Sequence, residues 1–410
     1  MRFPVFLFNM HPVGPRCFSN NRNANGVLLF VIMLRTYRYR LYPTKEQQDT
    51  LNKILWVACW LYNRALDYRR KRWNESRRSV TYYEQAGMWQ DWRNEAGDNL
   101  LRLLNMSAGQ QVLRRLDSAY RQFLKGERGK PRVQKPSRFN SVNYKPGDGA
   151  QIKGNRLYVQ NVGPVKVRWH RAFPEGKLKN IVVVRKPSGW YALLQVDIPN
   201  KAVAKSVNLP VGVDMGITHA LALSDGNVCD SHKSLQASLG MLRVLQRSVA
   251  RKKKGGKNRH KAVQKVARLH EKISNQRLDW WHKITRQLVD TYGVIVLEDL
   301  SLKFMLQNGR ISRSAHDVGL GIFRSLLDYK AMEAGVEIMT VDPRNTSQMC
   351  SGCGSIVLKN LSVRLHFCPD CGLTLDRDVN AARNILSLGR RDWALTWETA
   401  PNVAQDALPL

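Results

Sequence analysis

Apolar and polar positions change period several times along this chain, and each change marks a new element. From Met33, apolar residues alternate with Arg35, Arg38 and Arg40, which predicts a strand over 33–43. At Pro43-Thr44 the period lengthens. Thr44 is placed to cap a helix with Gln47 three residues on, and Leu51, Ile54, Leu55, Ala58 and Leu61 follow at helical spacing. This helical block runs to about Gly126. Four short alternating runs then appear at 151–159, 165–169, 181–185 and 190–198, split by turn residues, and predict a small antiparallel barrel. In the second half, Val211–Asp214 reads as a strand ending in a carboxylate, with Ala220–Gly226 as the strand and turn that complete a hairpin. Leu245, Val249, Val263, Val266, Leu269, Ile273, Leu278, Ile284 and Leu288 mark helical faces. Val294–Leu297 is a wholly apolar strand that stops at Glu298-Asp299, and Val379–Leu386 is an amphipathic helix.

Composition narrows what such elements can do. The chain has 410 residues, of which 43% are hydrophobic, enough for two to four packed units. Its 66 Lys and Arg against 32 Asp and Glu leave a net charge of +34, which calls for a polyanionic partner, nucleic acid first. The charge is uneven. Between Arg243 and Arg286 there are fifteen basic residues and two acidic ones, so Arg251, Lys252, Lys253, Lys254, Lys257 and Arg259 are nucleic-acid-binding candidates. Gly, Pro and basic residues crowd 126–150, and 131–144 reads as a basic linker. Trp56, Trp60, Trp73, Trp89 and Trp92 alternate with arginines, and they are either helix-packing core or stacking platforms for bases. Val27–Leu34 resembles the apolar core of a signal peptide, but basic strand residues follow it in place of a cleavage site. We therefore expect residues 1–32 to be an upstream extension, a cytoplasmic protein, and neither a membrane nor a small-molecule substrate. Cys17, Cys59 and Cys229 are scattered with no disulfide framework, as in a reducing compartment.

The remaining cysteines carry chemistry. Cys350 and Cys353, then fourteen residues, then Cys368 and Cys371 supply four thiolates spaced to close a tetrahedral structural zinc site, each pair followed by a glycine. Three carboxylates sit at element ends: Asp214 and Glu298 at strand termini, Asp378 at a helix start. Such a set suits two-metal phosphodiester chemistry, and hard oxygen donors select Mg²⁺ or Mn²⁺ over zinc. Asp299 and Asp376 stand one step away as alternatives. Glu298 is preferred because it directly follows the apolar strand, and Asp378 because it opens Asp-x-Asn-Ala-Ala.

The order Gly212-Val-Asp-Met-Gly, Leu297-Glu-Asp-Leu, Leu327-Asp-Tyr-Lys, Thr346-Ser-Gln-Met-Cys-Ser-Gly-Cys-Gly, Cys368-Pro-Asp-Cys-Gly and Asp376-Arg-Asp-Val-Asn-Ala-Ala-Arg-Asn-Ile closely resembles TnpB. These are transposon-encoded RNA-guided DNA endonucleases related to type V CRISPR effectors. The resemblance runs from about Met33 to Leu388. It implies a multi-domain α/β protein: an RNase H-like (RuvC) nuclease domain at 206–345 and 374–388, interrupted by a zinc ribbon at 346–373. A wedge β-barrel would comprise 33–43 and 145–205, a helical recognition domain 44–130, and a tail 389–410. By the same resemblance Asp214, Glu298 and Asp378 are the catalytic, Mg²⁺-holding triad, and Cys350, Cys353, Cys368 and Cys371 hold zinc. A transposon-derived guide RNA and target double-stranded DNA are the implied partners, with cleavage beside a short flanking motif and base pairing supplying the sequence choice. A strand-transferring transposase could use the same carboxylates. A nuclease-silent RNA-guided repressor would lack one of them.

Overall fold

Strand β1 (Ile32–Tyr42) pairs antiparallel with a second long strand near residue 195 over ten positions, and that pairing organises the first half of the chain. The computed structural model describes residues 32–95, 99–199, 208–300, 312–360 and 363–398. The expected extension over 1–32 lies outside them but for its last residue. The chain divides at Asn200/Lys201 into two compact units.

In the first unit, helix α1 (Lys45–Ser76) begins where expected, with a full capping box between Thr44 and Gln47. Its predicted stripe is inside: Leu51, Ile54, Leu55, Ala58 and Leu61 are all buried. Helices α2 (Tyr82–Glu95) and α3 (Met106–Leu124) pack beside it. Trp89 of α2 lies flat on Gly109 of α3, where a Cβ would fall 2.2 Å from the indole nitrogen, so only glycine lets the helices approach. The tryptophans differ in burial. Trp89 and Trp92 are core, whereas Trp56 and Trp73 are nearly half exposed.

The barrel adds β2 (Ser141–Pro146), β3 (Gly149–Lys153), β4 (Arg156–Val159), β5 (Gly163–Arg168), β6 (Lys177–Lys186) and β7 (Gly189–Pro199) to β1. It closes in the order β1-β5-β4-β3-β2-β6-β7. Three details differ from the sequence expectation. The run 151–159 is a hairpin of two strands, because Gly154, at φ +53, turns the chain within it. The barrel is not purely antiparallel, since β2 and β3 pair in parallel at Lys145↔Gly149. The stretch taken as a linker over 131–144 contains the start of β2, and its earlier part is tied to α1 by hydrogen bonds from Arg70 to the Pro131 carbonyl and between Asn63 and Gln134.

The second unit is built on a five-stranded sheet, β8 (Pro210–Asp214), β9 (His219–Leu223), β10 (Val228–Asp230), β11 (Val294–Glu298) and β12 (Glu337–Val341), in the order β10-β9-β8-β11-β12. β8, β11 and β12 run parallel, and β8, β9 and β10 form antiparallel hairpins. Helices α4 (Ser234–Ala250) and α5 (Lys257–Thr291) make a hairpin. After the short α6 (Ser312–Val318), α7 (Leu320–Ala334) packs with α5. Every residue of β11 is buried, the signature of a parallel strand covered on both faces. Alternation assigns the faces. Ile295 and Leu297 join Val211 and Val213 in a core with Trp281 of α5 and Phe323 of α7, while Val294 and Val296 meet Ile385 of the last helix, α8 (Arg377–Glu398). That helix continues into the region expected as a tail, and Gly389 lets it lie close against the sheet. A Cβ there would fall 2.6 Å from a Val296 methyl.

A candidate carboxylate centre beside a four-cysteine ribbon

The same alternation gathers the acids. On β8, Val211 and Val213 face the α5/α7 core, so Gly212 and Asp214 face α8. On β11, Val294 and Val296 face α8, so Glu298 does as well. Leu297 pairs with Val213 in the parallel register, which sets Glu298 next to Asp214 on adjacent strands. Gly212 is required here. A Cβ would fall 2.1 Å from the Ala382 carbonyl of α8, and it is this close approach that delivers the first turn of α8, with Asp378, to the strand ends. Glu298 and Asp378 are both buried, Asp214 partly so.

The acids feel one another. Burial, followed by the charges of Glu298 and Asp378, pushes the Asp214 carboxyl up to about 8, against an opposing effect of Arg377. Burial also raises Glu298, partly offset by a hydrogen bond from the Thr346 hydroxyl, which donates to Oε1. Arg364 and Arg377 each lie 3.4 Å from an Asp378 oxygen, Arg364 from Oδ2 and Arg377 from Oδ1. Arg364 also donates to the Thr218 hydroxyl at 2.7 Å. The two neighbouring acids are otherwise engaged. Asp299 is exposed, beyond the strand end. Asp376 Oδ1 accepts the backbone N–H groups of Asp378 and Val379 at 2.8 and 3.2 Å and so caps α8.

The four cysteines converge. Their sulfurs all lie within 4.8 Å of one another, with Cys350–Cys371 at 3.6 Å and Cys353–Cys368 at 3.5 Å. Among the described residues this is the one set of three or more Cys, His, Asp or Glu side chains whose ligand atoms close so tightly. Each Cys pair sits on a matched turn. Gly354 N–H donates to the Cys350 carbonyl and Gly372 N–H to the Cys368 carbonyl, both at 2.9 Å, with the glycines at φ +81 and +73. Four soft donors at the apices of a small tetrahedron fit zinc. β13 (Leu365–Phe367) and β14 (Thr374–Asp376) form the ribbon's hairpin and lead directly into α8.

Two asparagines, for which the sequence reading had no role, join ribbon to helix. Asn380 Nδ2 donates to the Met349 carbonyl at 2.8 Å and its Oδ1 accepts the Ser351 N–H at 2.9 Å. Asn384 donates to the carbonyls of Thr346 and Met349 at 2.8 and 2.7 Å. Both are buried. The i, i+4 spacing of two asparagines on one helix face was the available signal. The basic candidates sit elsewhere, at the tip of the α4/α5 hairpin. Arg251 caps α4, Lys252, Lys253 and Lys254 form the turn, and Lys257 and Arg259 open α5. Among the described residues none of the six pairs with a carboxylate. Cations in the first turn of a helix oppose its dipole, so Lys257 and Arg259 do nothing for α5 itself.

Comparison with known proteins decides the family. A "Putative RNA-guided DNA endonuclease" of Streptomyces pristinaespiralis is 34% identical over 362 residues, covering 87% of this chain and 89% of that protein. The chain belongs to the TnpB family. The "Putative RNA-guided DNA endonuclease InsQ" of Escherichia coli K12 is 29% identical, covering 87% and 92%. Family profiles described as "Probable transposase" and "Cas12f1-like, TNB domain" match residues 193–309 and 321–385, and one described as "Helix-turn-helix domain" matches 33–78. In this TnpB-family chain the last of these segments folds as β1 and the single helix α1. The fold is shared with a chain of a solved Cas12f1–sgRNA–target DNA complex, at a TM-score of 0.54 and 16% identity, covering 83% of each. No described helix is long and apolar enough to cross a membrane.

Proposed function

We propose that this protein is an RNA-guided DNA endonuclease, encoded by an insertion sequence, that hydrolyses both strands of DNA beside a short flanking motif in a RuvC-like site. The observation that carries the chemistry is the environment of Asp214 at the strand ends. Burial first, and then the charges of Glu298 on β11 and Asp378 on α8, hold its carboxyl up to about 8. A divalent cation relieves that repulsion, and all-oxygen donors fit Mg²⁺ or Mn²⁺. When bound, such ions generate a nucleophile from water and stabilise the leaving oxygen.

The chain's own residues prepare that site. Burial and the neighbouring acids favour the protonated form of Asp214, and a divalent cation held by the three carboxylates would favour the ionised form. Thr346, by donating to Glu298, orients that carboxylate. Arg364 and Arg377 flank Asp378 and offer positive charge to a scissile phosphate. The cysteine ribbon, taken as a zinc site, acts through position: it anchors the Met349 turn to Asn380 and Asn384 and thereby holds the start of α8. The relatives' names support RNA as the guide, and a net charge of +34 supports holding RNA and DNA through their backbones.

The test is purification with the transcript from the element's end, followed by cleavage of a plasmid carrying the guide match beside a randomised flank, with Mg²⁺. Cleavage that needs both RNA and Asp214 is expected. The "Probable transposase" match over the β8–β11 region keeps strand transfer as a second reading, and joining of DNA ends without RNA would establish it in place of the first.

A further inference from the structure

The first unit carries a site that the nuclease chemistry does not use. Trp56 and Trp60 lie one helical turn apart on α1, with Arg64 one turn further and Lys53 one turn before. Between this stripe and Pro136 is a cavity of about 330 Å³, lined by Trp56, Cys59, Trp60, Asn63, Arg64 and Pro136. Trp56 is 43% exposed, although nothing in the packing of α1 demands an indole there. The far wall is held in place. Asn63 and Gln134 exchange two hydrogen bonds of 2.8 Å, one in each direction between the amide and the backbone, and Cys59 Sγ lies 3.4 Å from the Gln134 carbonyl. The Arg64 guanidinium rests 5.8 Å from the Trp92 ring centroid, which fixes it at the rim.

We infer that this slot takes one unpaired nucleobase of a single strand, stacked on Trp56 and Trp60, with the adjoining phosphates on Arg64 and the basic strap. The occupant follows from the lining. Two indoles and a proline ring are among the lining groups, and the volume falls in the range of small-ligand pockets. No carboxylate lines the cavity, and Lys130, Arg132, Lys135 and Arg138 are exposed along the strap, so an anionic flat ligand is favoured over a neutral one. Stacking also accepts any base, as a guided protein requires of a contact away from the flanking motif. The inference rests on the nucleic-acid reading above.

The test titrates labelled dT and rU oligomers of about ten nucleotides into the full-length protein across a range of salt concentrations. Trp56→Ala should weaken binding of at least one oligomer roughly 5- to 100-fold with the salt slope unchanged, and Trp56→Phe should restore most of the loss, because stacking and not charge has been removed. Loss confined to dT assigns the base to DNA, loss confined to rU assigns it to RNA, and loss on both shows that the slot takes either. Trp56→Ala binding both oligomers like the wild type overturns the slot alone, as does a loss that comes with a shallower salt slope and is not rescued by Phe. A wild-type protein that binds neither oligomer overturns the nucleic-acid reading and the slot with it.

Discussion

The carboxylate centre and the cysteine ribbon meet at the same turn of α8, yet they are built in opposite ways. The ribbon is local. Its four sulfurs come from two glycine-ended turns within 22 residues of chain, and each turn is closed by its own backbone hydrogen bonds. The carboxylates come from positions 214, 298 and 378 and meet because of sheet register, side-chain alternation and one glycine contact. The thiols could satisfy a metal's geometry in a small space, while among the acids burial and the charges of Glu298 and Asp378 push Asp214 toward its protonated form. A protein can thus encode a structural metal site in a short motif, but it must fold a sheet to make a site whose parts repel.

The sharpest way to break the comparison is to remove one acid. Asp214→Ala should lower RNA-dependent DNA cleavage by about three orders of magnitude or more while guide RNA binding, measured by filter retention, stays within about twofold. Loss of RNA binding in a folded variant would mean that the two functions are not separated in this way. Cys368→Ser attacks the other site. Zinc content by atomic absorption should fall and cleavage should drop by roughly 10- to 100-fold, through displacement of α8 and not through loss of a reacting group. Zinc retained in full would contradict the ligand assignment.

The clasp between the two sites can be tested separately. Asn384→Ala leaves the Thr346 carbonyl without its buried donor and takes one of two donors from the Met349 carbonyl, which keeps Asn380, at about 1–3 kcal/mol, so the melting temperature should fall with zinc still bound. Gly212→Ala should act from the sheet side. Its methyl would drive α8 from β8 at a cost of about 1–3 kcal/mol, lowering cleavage while all four cysteines keep their zinc.

A further effect is in pH. The folded carboxyl of Asp214 lies near 8, above its ordinary 3.8, so the folded state binds the proton more tightly than the unfolded chain. The resulting stability is full below about pH 4 and is lost as the pH climbs toward 8. Melting of metal-free protein should therefore show this loss, Asp214→Asn should abolish it, and Mg²⁺ should bind more tightly at pH 8 than at pH 6 because the proton no longer competes.

Much of this was legible before any coordinates. Thr44 and Gln47 announced α1, the two Cys pairs with their glycines announced the ribbon, and the apolar run before Glu298 announced β11. Each is a short-range signal, in which the residues that make the contact are neighbours in the chain. The hairpin hidden in 151–159 was missed although Gly154-Asn155, between the paired Lys153 and Arg156, is a two-residue turn signal, and β2 was missed because basic and proline residues masked its alternation. Asn380 and Asn384 were quoted as part of a motif without a role, since their partners are backbone carbonyls, which no side-chain pattern records.

By itself the sequence determined the family, the thiolate set, the basic character and the kinds of residue available for metal chemistry, because motif spacing and composition are properties of the chain. Only the tertiary structure decided that Glu298 and not Asp299 faces Asp214, that Asp376 caps the helix opened beside Asp378, and that Trp89 is buried while Trp56 is not. Those choices depend on which face of a strand or helix is covered, and that is set by elements distant in sequence packing to the closest approach their side chains allow.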